Sequence, residues 1–311
     1  MRRLTRWSFS AALLAAAALA PPACSRKAAA PPPHKAPRFD GQRAYSRLVE
    51  LCSFGPRNHG SEGKARAEGW IKAALGEAGA EVSAHEFRHA PKGGGAEGVF
   101  RNIVGRIRPE ESRRVMFATH YDTRSWADRD PRPERRGEPI VGANDGASGV
   151  AVLLEMAALW KSEPPPVGVD LIFFDGEDFG RGQDWDEYFL GSKAWARDFA
   201  DYRPEWGVVV DMVCDASLKL RKERDSVARA PAVVARLWEA AARVGSTAFS
   251  DEAGGRVLDD HTAFLERGLP VALVIDFEYR WFHTSGDTPD KCSAESLGQV
   301  GRALMEALEA P

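Results

Sequence analysis

Residues 170–182, DLIFFDGEDFGRG, decide how the chain reads. Leu171 to Phe174 form a short, unbroken apolar run, the pattern of a strand covered on both faces in a parallel sheet. Asp175, Glu177 and Asp178 follow at once, with Gly176 and Gly180 among them. Carboxylates at the end of a buried strand repel one another and resist desolvation unless a cation or a proton holds them. The rest of the chain has to supply that cation.

Outward from this strand, helical and extended patterns alternate from about residue 40 without a boundary. SEGKARAEGWIKAALGEAG (61–79) is helical, with Ser61 as its cap. AEVSAHEF (80–87) and VFRNIVGRI (99–107) alternate as strands do. Arg114–Ala118 is a more buried strand that runs into THYDTR (119–124), and GASGVAVLLEMAALW (146–160) is a helix. Beyond the opening strand come a helix at 191–202, a buried strand at 206–213 and a helix that starts at Pro231. A short helix at 259–268, a strand at 269–276 and a closing amphipathic helix at 293–310 follow. Strands separated by crossover-length helices predict an α/β fold over residues 39–311. This is a single-domain α/β/α sandwich around a mixed, mainly parallel sheet.

The chain has 311 residues, 44% hydrophobic and 28% charged, with a formal net charge of −3. That balance argues against a basic nucleic-acid-binding face. The N-terminus reads as a targeting segment: Arg2, Arg3 and Arg6 precede the apolar stretch Phe9–Ala20. Residues 1–23 are expected to be a signal peptide. LAPPACS ends in Ala23-Cys24 and resembles a lipobox, imperfect because of Pro21 and Pro22. The expectation is an exported, periplasmic or outer-surface protein whose only membrane contact is a lipid anchor at Cys24. Residues 24–38, rich in Pro and Ala, read as a tether. Three further cysteines, Cys52, Cys214 and Cys292, leave at least one thiol free, and their pairing stays open.

Polar residues recur where the buried strands end. His120 and Asp122 follow one strand, Glu177 and Asp178 a second, Asp211 ends a third, and His283 lies beyond a fourth, while Asp145 opens a helix. Ligands of open α/β sheets bind at the carboxyl ends of the strands. Two histidines and several carboxylates are a donor set for catalytic zinc, which keeps one position open for substrate or water. Adjacent residues in extended backbone point to opposite sides, so Asp178 can bind metal while Glu177 serves as general base.

Seven stretches occur in order: HYDTR, VGANDGASGVAVLLEMA, LIFFDGEDFG, YFLGSKAWA, VVVDMV, DDHTAFLERGLPV and WFHTSGDTPDK. Together they resemble the zinc aminopeptidase superfamily of zinc-dependent exopeptidases, most closely its glutaminyl-peptide cyclotransferase branch, across roughly residues 45–310. The resemblance implies that Asp145, Asp178 and His283 hold the catalytic zinc and that Glu177 is the acid/base. In the two-zinc peptidases His120 and Asp211 take the second ion, with Asp145 bridging. In the cyclases one zinc suffices, and the Asp211 position joins a hydrogen-bonded acid network with Glu177 and Asp259. Two departures stand out. The Asp178 position is more often Glu, so the metal must sit nearer this strand or the loop must lean in. The residue before the metal histidine is Trp in many cyclases and here is Phe282, with Trp281 one step earlier.

The resemblance implies an acyltransferase that converts N-terminal glutamine of peptides to pyroglutamate and releases ammonia. Its substrates would be peptide or protein N-termini. A two-zinc aminopeptidase is the alternative, and Asp276 is then the candidate for holding a substrate α-ammonium. Intact ligands and an intact Glu177 speak against an inactive binding domain. Trp185 and Trp281, with Phe282, are the candidate pocket walls, weighed against ordinary core packing. His59, His85 and His89 read as structural, and His261 either orients Asp259 or caps its helix. Ser148 lacks the spacing of a nucleophile elbow. The charge run Asp128–Arg136 reads as a solvated loop at the crevice rim.

Overall fold

The computed structural model describes residues 39–94 and 96–309. The expected signal peptide, Cys24 and the tether to residue 38 lie outside them. β4 (Gly168–Phe174) is buried along its whole length, as its unbroken apolar run requires. It lies between β2 (Gly98–Ile107), which it pairs antiparallel, and β3 (Arg114–His120), which it pairs parallel. β1 (Glu81–His89) extends the sheet antiparallel beyond β2. β5 (Gly207–Asp211) and β8 (Val271–Ile275) extend it parallel beyond β3, giving the order β1-β2-β4-β3-β5-β8. The parallel half carries the strands that end in His120, the 175–178 cluster and Asp211.

Alternate residues of the inner strands feed opposite faces, as a period of two demands. Val169, Leu171 and Phe173 join a core with α1 (Gly41–Cys52), α2 (Glu62–Glu77), α3 (Ala147–Trp160), α6 (Pro231–Arg243) and α8 (Ala294–Glu309). Ile172 and Phe174 face the other way, onto Trp195 of α4 (Leu190–Asp198) and Phe264 of α7 (His261–Leu265). Ser61 caps α2 by accepting from the N–H of Lys64, and Pro231 opens α6. α1, α5 (Arg224–Arg229) and a separate parallel pair of short strands, β6 (Leu220–Lys222) and β7 (Phe249–Ala253), carry no sequence pattern singled out above.

Gly149 of α3 shows why the GASG turn needs glycine. A Cβ there would lie 2.1 Å from Thr119 Oγ1 and 2.6 Å from the Val210 carbonyl. Its absence lets α3 start directly against the ends of β3 and β5, which brings Asp145 into the crevice. Cys214 and Cys292 form a disulfide between the segment after β5 and the start of α8. Among the described residues Cys52 is the free cysteine, buried, with its thiol pushed up to about 12 by desolvation.

Candidate active site

Asp145, Asp178 and His283 present donor atoms that all lie within 4.8 Å of one another. His283 Nε2 is 3.3 Å from Asp178 Oδ1 and 3.6 Å from Asp145 Oδ2. A tetrahedral ion with bonds of ~2.0–2.1 Å sets its donors about 3.3 Å apart, so the shorter aspartate reaches far enough. Asp145 Oδ2 and Asp178 Oδ2 are buried and have no hydrogen-bond partner. Buried oxygens without a donor carry a desolvation cost that a cation removes. The donor set and these orphaned oxygens fit a divalent metal.

The second donor group, His120, Asp145 and Asp211, is equally close-set. Here His120 Nε2 lies 3.1 Å from Asp211 Oδ1 and 3.2 Å from Asp145 Oδ1, so it contacts both carboxylates directly, while its buried Nδ1 has no hydrogen-bond partner. Burial works against charge on His120, yet Glu177, Asp122, Asp145 and Asp211 around it raise its pKa well above the ordinary histidine value.

Two carboxylates, one of them unnoticed in the sequence, hold the loops from behind. Asp122 accepts the backbone N–H of Glu177 (3.1 Å) through one oxygen and that of Asp178 (3.2 Å) through the other. Asp287 does the same for Asn144 (2.9 Å) and Asp145 (3.1 Å), and also accepts from the Tyr279 hydroxyl. Gly176, at φ +72°, makes the turn that aims Glu177 and Asp178, and the Phe189 N–H closes onto the Glu177 carbonyl (2.9 Å). Met212 and His283 also adopt positive φ, 48° and 56°, beside the ligand positions. Such backbone strain persists only where the surroundings enforce it.

The cations demanded by the opening stretch are partly the protein's own. Lys64 of α2 pairs with Asp175 at 2.9 Å. Burial pushes the Asp175 carboxyl up to about 7 in spite of that lysine. Arg124, buried, donates to Asp178 Oδ1 (2.9 Å), to Asp128 and to the Tyr188 hydroxyl. Asp178 is therefore not left to a metal alone. Desolvation opposes its charge, but His283 and Arg124 hold it well below the usual carboxylate range.

The chain that carries these two adjoining donor groups is similar in sequence and fold to known proteins. Residues 102–308 match the model of peptidase family M28. The chain belongs to this family. A glutaminyl cyclase of Bacteroides thetaiotaomicron, solved with N-acetylhistamine, superimposes with a TM-score of 0.85 at 32% identity, covering 89% of this chain and all of that one. A Zn-dependent exopeptidase from Parabacteroides distasonis does so with a TM-score of 0.85 at 31% identity, again over 89% of this chain and 100% of that one. Aminopeptidase YwaD of Bacillus subtilis is 28% identical over 224 residues, which are 67% of this chain. They are 44% of that relative, so this chain matches less than half its length.

In this M28 chain the crevice has a volume of about 400 Å³ and is lined by Asp145, Glu177, Asp178, Asp211, Asp259 and His283 among others. Desolvation raises Glu177 well above the usual glutamate range, reinforced by Asp178 and Asp259 and opposed by His120. Asp259 is raised likewise by burial, Asp211 and Asp260. Asp260 lies behind it, pushed up by burial to about 7.

Not every expected wall is in place. Trp185 and Phe282 line the crevice. Trp281 does not: its ring lies between the Arg280 guanidinium and the Lys291 ammonium, and Phe277 contributes to the wall instead. Asp276 lines a neighbouring cavity rather than the crevice. The run after Asp128 is more than a solvated loop, because Asp128 binds Arg124 and the Arg129 N–H donates to the His283 carbonyl. Asp130 is buried and accepts from the Ser285 N–H at 3.0 Å. His261 lies 3.4 Å from Glu223, whereas His85 pairs with Asp198 and His89 with Glu187, all away from the donor groups. Ser148 bonds the Asn144 carbonyl and the Val213 N–H, a structural role.

Proposed function

We propose that the chain is a zinc-dependent glutaminyl-peptide cyclotransferase that works with one zinc, held by Asp145, Asp178 and His283. The observation that carries this reading is the asymmetry of the two donor groups. Asp178 Oδ2 and Asp145 Oδ2, the oxygen of the shared Asp145 that faces His283, have no hydrogen-bond partner, while His120 Nε2 already contacts the carboxylates of Asp145 and Asp211. When bound, zinc supplies a Lewis acid for the side-chain amide of an N-terminal glutamine. Glu177 takes a proton from the peptide's α-amine as that nitrogen bonds to the amide carbon, and returns one to the nitrogen that leaves as ammonia. A raised Glu177 pKa suits a group that must both accept and release a proton near neutrality. Asp259 and Asp211 line the same crevice. Phe282, Phe277 and Trp185 offer an apolar wall against which a glutamine side chain folds back on itself.

A second reading, hydrolysis of N-terminal residues with two zinc ions, is favoured by one observation: His120, Asp145 and Asp211 also converge within 4.8 Å. In that case Glu177 activates water instead. A glutamine-initiated and a leucine-initiated peptide, incubated separately and read by mass, divide the two readings. Export with a lipid anchor at Cys24 belongs to the same proposal, and the intact mass of the natural protein tests it.

A further inference from the structure

Beside the crevice lies a second cavity of about 250 Å³ that shares Val257, Ile275 and Phe277 with it. Phe277 lines both spaces and is half exposed. The two spaces are joined by a run of rings. The His283 and Phe282 rings are tilted against each other at 3.6 Å between centroids, and Phe282 approaches Phe277 at 5.7 Å. An extended peptide advances ~3.3 Å per residue, so this path corresponds to about three residues or fewer.

Asp276, a buried carboxylate, lines this cavity. The other charged residues of the lining are already engaged. Lys219 binds Glu252 at 2.7 Å, Arg221 binds Glu252 and Glu278, and Glu223 accepts the N–H groups of Asp225 and Ser226. Asp276 accepts the backbone N–H groups of Glu278, at 3.2 Å, and of Lys219, and forms no ion pair among the described residues. Burial pushes it up to about 6, which leaves it an anion above neutral pH. A buried anion without a cation favours a positively charged ligand group.

We infer that this cavity is a subsite for the cationic side chain, lysine or arginine, of one of the two residues that follow the reacting N-terminal residue. The inference rests on the cyclotransferase reading and names the substrate class of that site. A peptide whose N-terminal glutamine lies against Glu177 passes over Phe282 and Phe277, and a long basic side chain at its second or third position drops onto Asp276. The contact is remote from the reacting atoms and is the same in ground and transition states, so it acts on KM rather than on kcat.

The test uses the full chain with zinc and four tripeptide amides: Gln-Arg-Ala, Gln-Ala-Arg, Gln-Ala-Ala and Gln-Glu-Ala. Ammonia release gives kcat and KM for each. At least one arginine peptide should exceed Gln-Ala-Ala by ~5-fold in kcat/KM through a lower KM, with Gln-Glu-Ala lowest, as expected for one partly screened ion pair. The preference should shrink as salt is raised. In Asp276→Asn the ratio of arginine to alanine peptide should fall to about one. Because the salt series needs no variant, a misfolded Asp276→Asn protein leaves the proposal testable. Equal kcat/KM for all four peptides, or an arginine preference that survives both salt and Asp276→Asn, overturns the subsite while leaving cyclisation intact. No ammonia from any of the four overturns the cyclotransferase reading itself, and the subsite with it.

Discussion

Asp122→Ala is the perturbation whose size follows most directly from the geometry. Asp122 accepts two backbone N–H groups, of Glu177 at 3.1 Å and Asp178 at 3.2 Å, and all three residues are buried. A hydrogen bond to a charged acceptor contributes ~1.5–3 kcal/mol, and a buried donor left without one costs ~1–3 kcal/mol. Two such bonds bound the loss at about 6 kcal/mol. Water entering the vacated volume recovers part of it, so a loss of ~3 kcal/mol is expected. The same loss frees the turn that aims Glu177 and Asp178. A misplacement of about 1 Å at a reacting group lowers turnover ~10²-fold. Urea unfolding of the metal-free variant measures the first quantity, and ammonia release by the zinc-loaded variant measures the second. A stability change below ~1 kcal/mol with turnover intact would refute the clamp. A full stability loss with turnover intact would leave the hydrogen bonds standing but refute their role in aiming Glu177.

Other expectations follow from the same geometry. Glu177→Gln should retain zinc and lose ~10²–10⁴-fold in turnover, whereas His283→Ala should lose both; metal content and rate measured on the same samples separate the two roles. Breaking the Cys214–Cys292 bridge, whose ends are 78 residues apart, should lower unfolding free energy by ~3–4 kcal/mol, seen as a drop in Tm on Cys214→Ser with Cys292→Ser. Burial works against charge on Glu223, yet His261 and the N–H groups of Asp225 and Ser226 hold it down to about 2. An ordinary glutamate titrates near ~4.3, so this contribution is complete above that value and is lost as pH falls toward about 2. Glu223→Gln should therefore flatten the acid limb of stability between about pH 5 and about pH 3, which denaturant titrations across that range detect.

The strands and the site they converge on were legible because both obey short-range rules. The LIFF run of β4 could be buried only on both faces, and carboxylates and histidines placed after successive strands must meet at one edge of a parallel sheet. Ser61 and Pro231 marked helix starts through local chemistry. What stayed hidden depends on partners distant in sequence. Lys64 sits among the polar residues of a surface-like helix, and nothing local announces that its ammonium reaches Asp175, far along the chain. Arg124 reads as one more charge beside the run from Asp128, although its guanidinium is buried against Asp178. Asp287 is a turn residue in sequence and becomes a clamp only when the Asn144–Asp145 turn arrives against it. Trp281 and Phe282 are neighbours, and nothing local tells that Phe282 faces the crevice while two cations pack on Trp281.

Cyclisation and hydrolysis at this M28 site would leave products of different mass. The direct test is a mass measurement on one glutamine-initiated and one leucine-initiated peptide, each incubated with enzyme whose zinc content has been counted. A one-zinc cyclotransferase should take the mass of ammonia from the glutamine peptide without cleavage, leave the leucine peptide unchanged, and carry one zinc per chain. Release of free leucine by a protein carrying two zinc ions would contradict that reading.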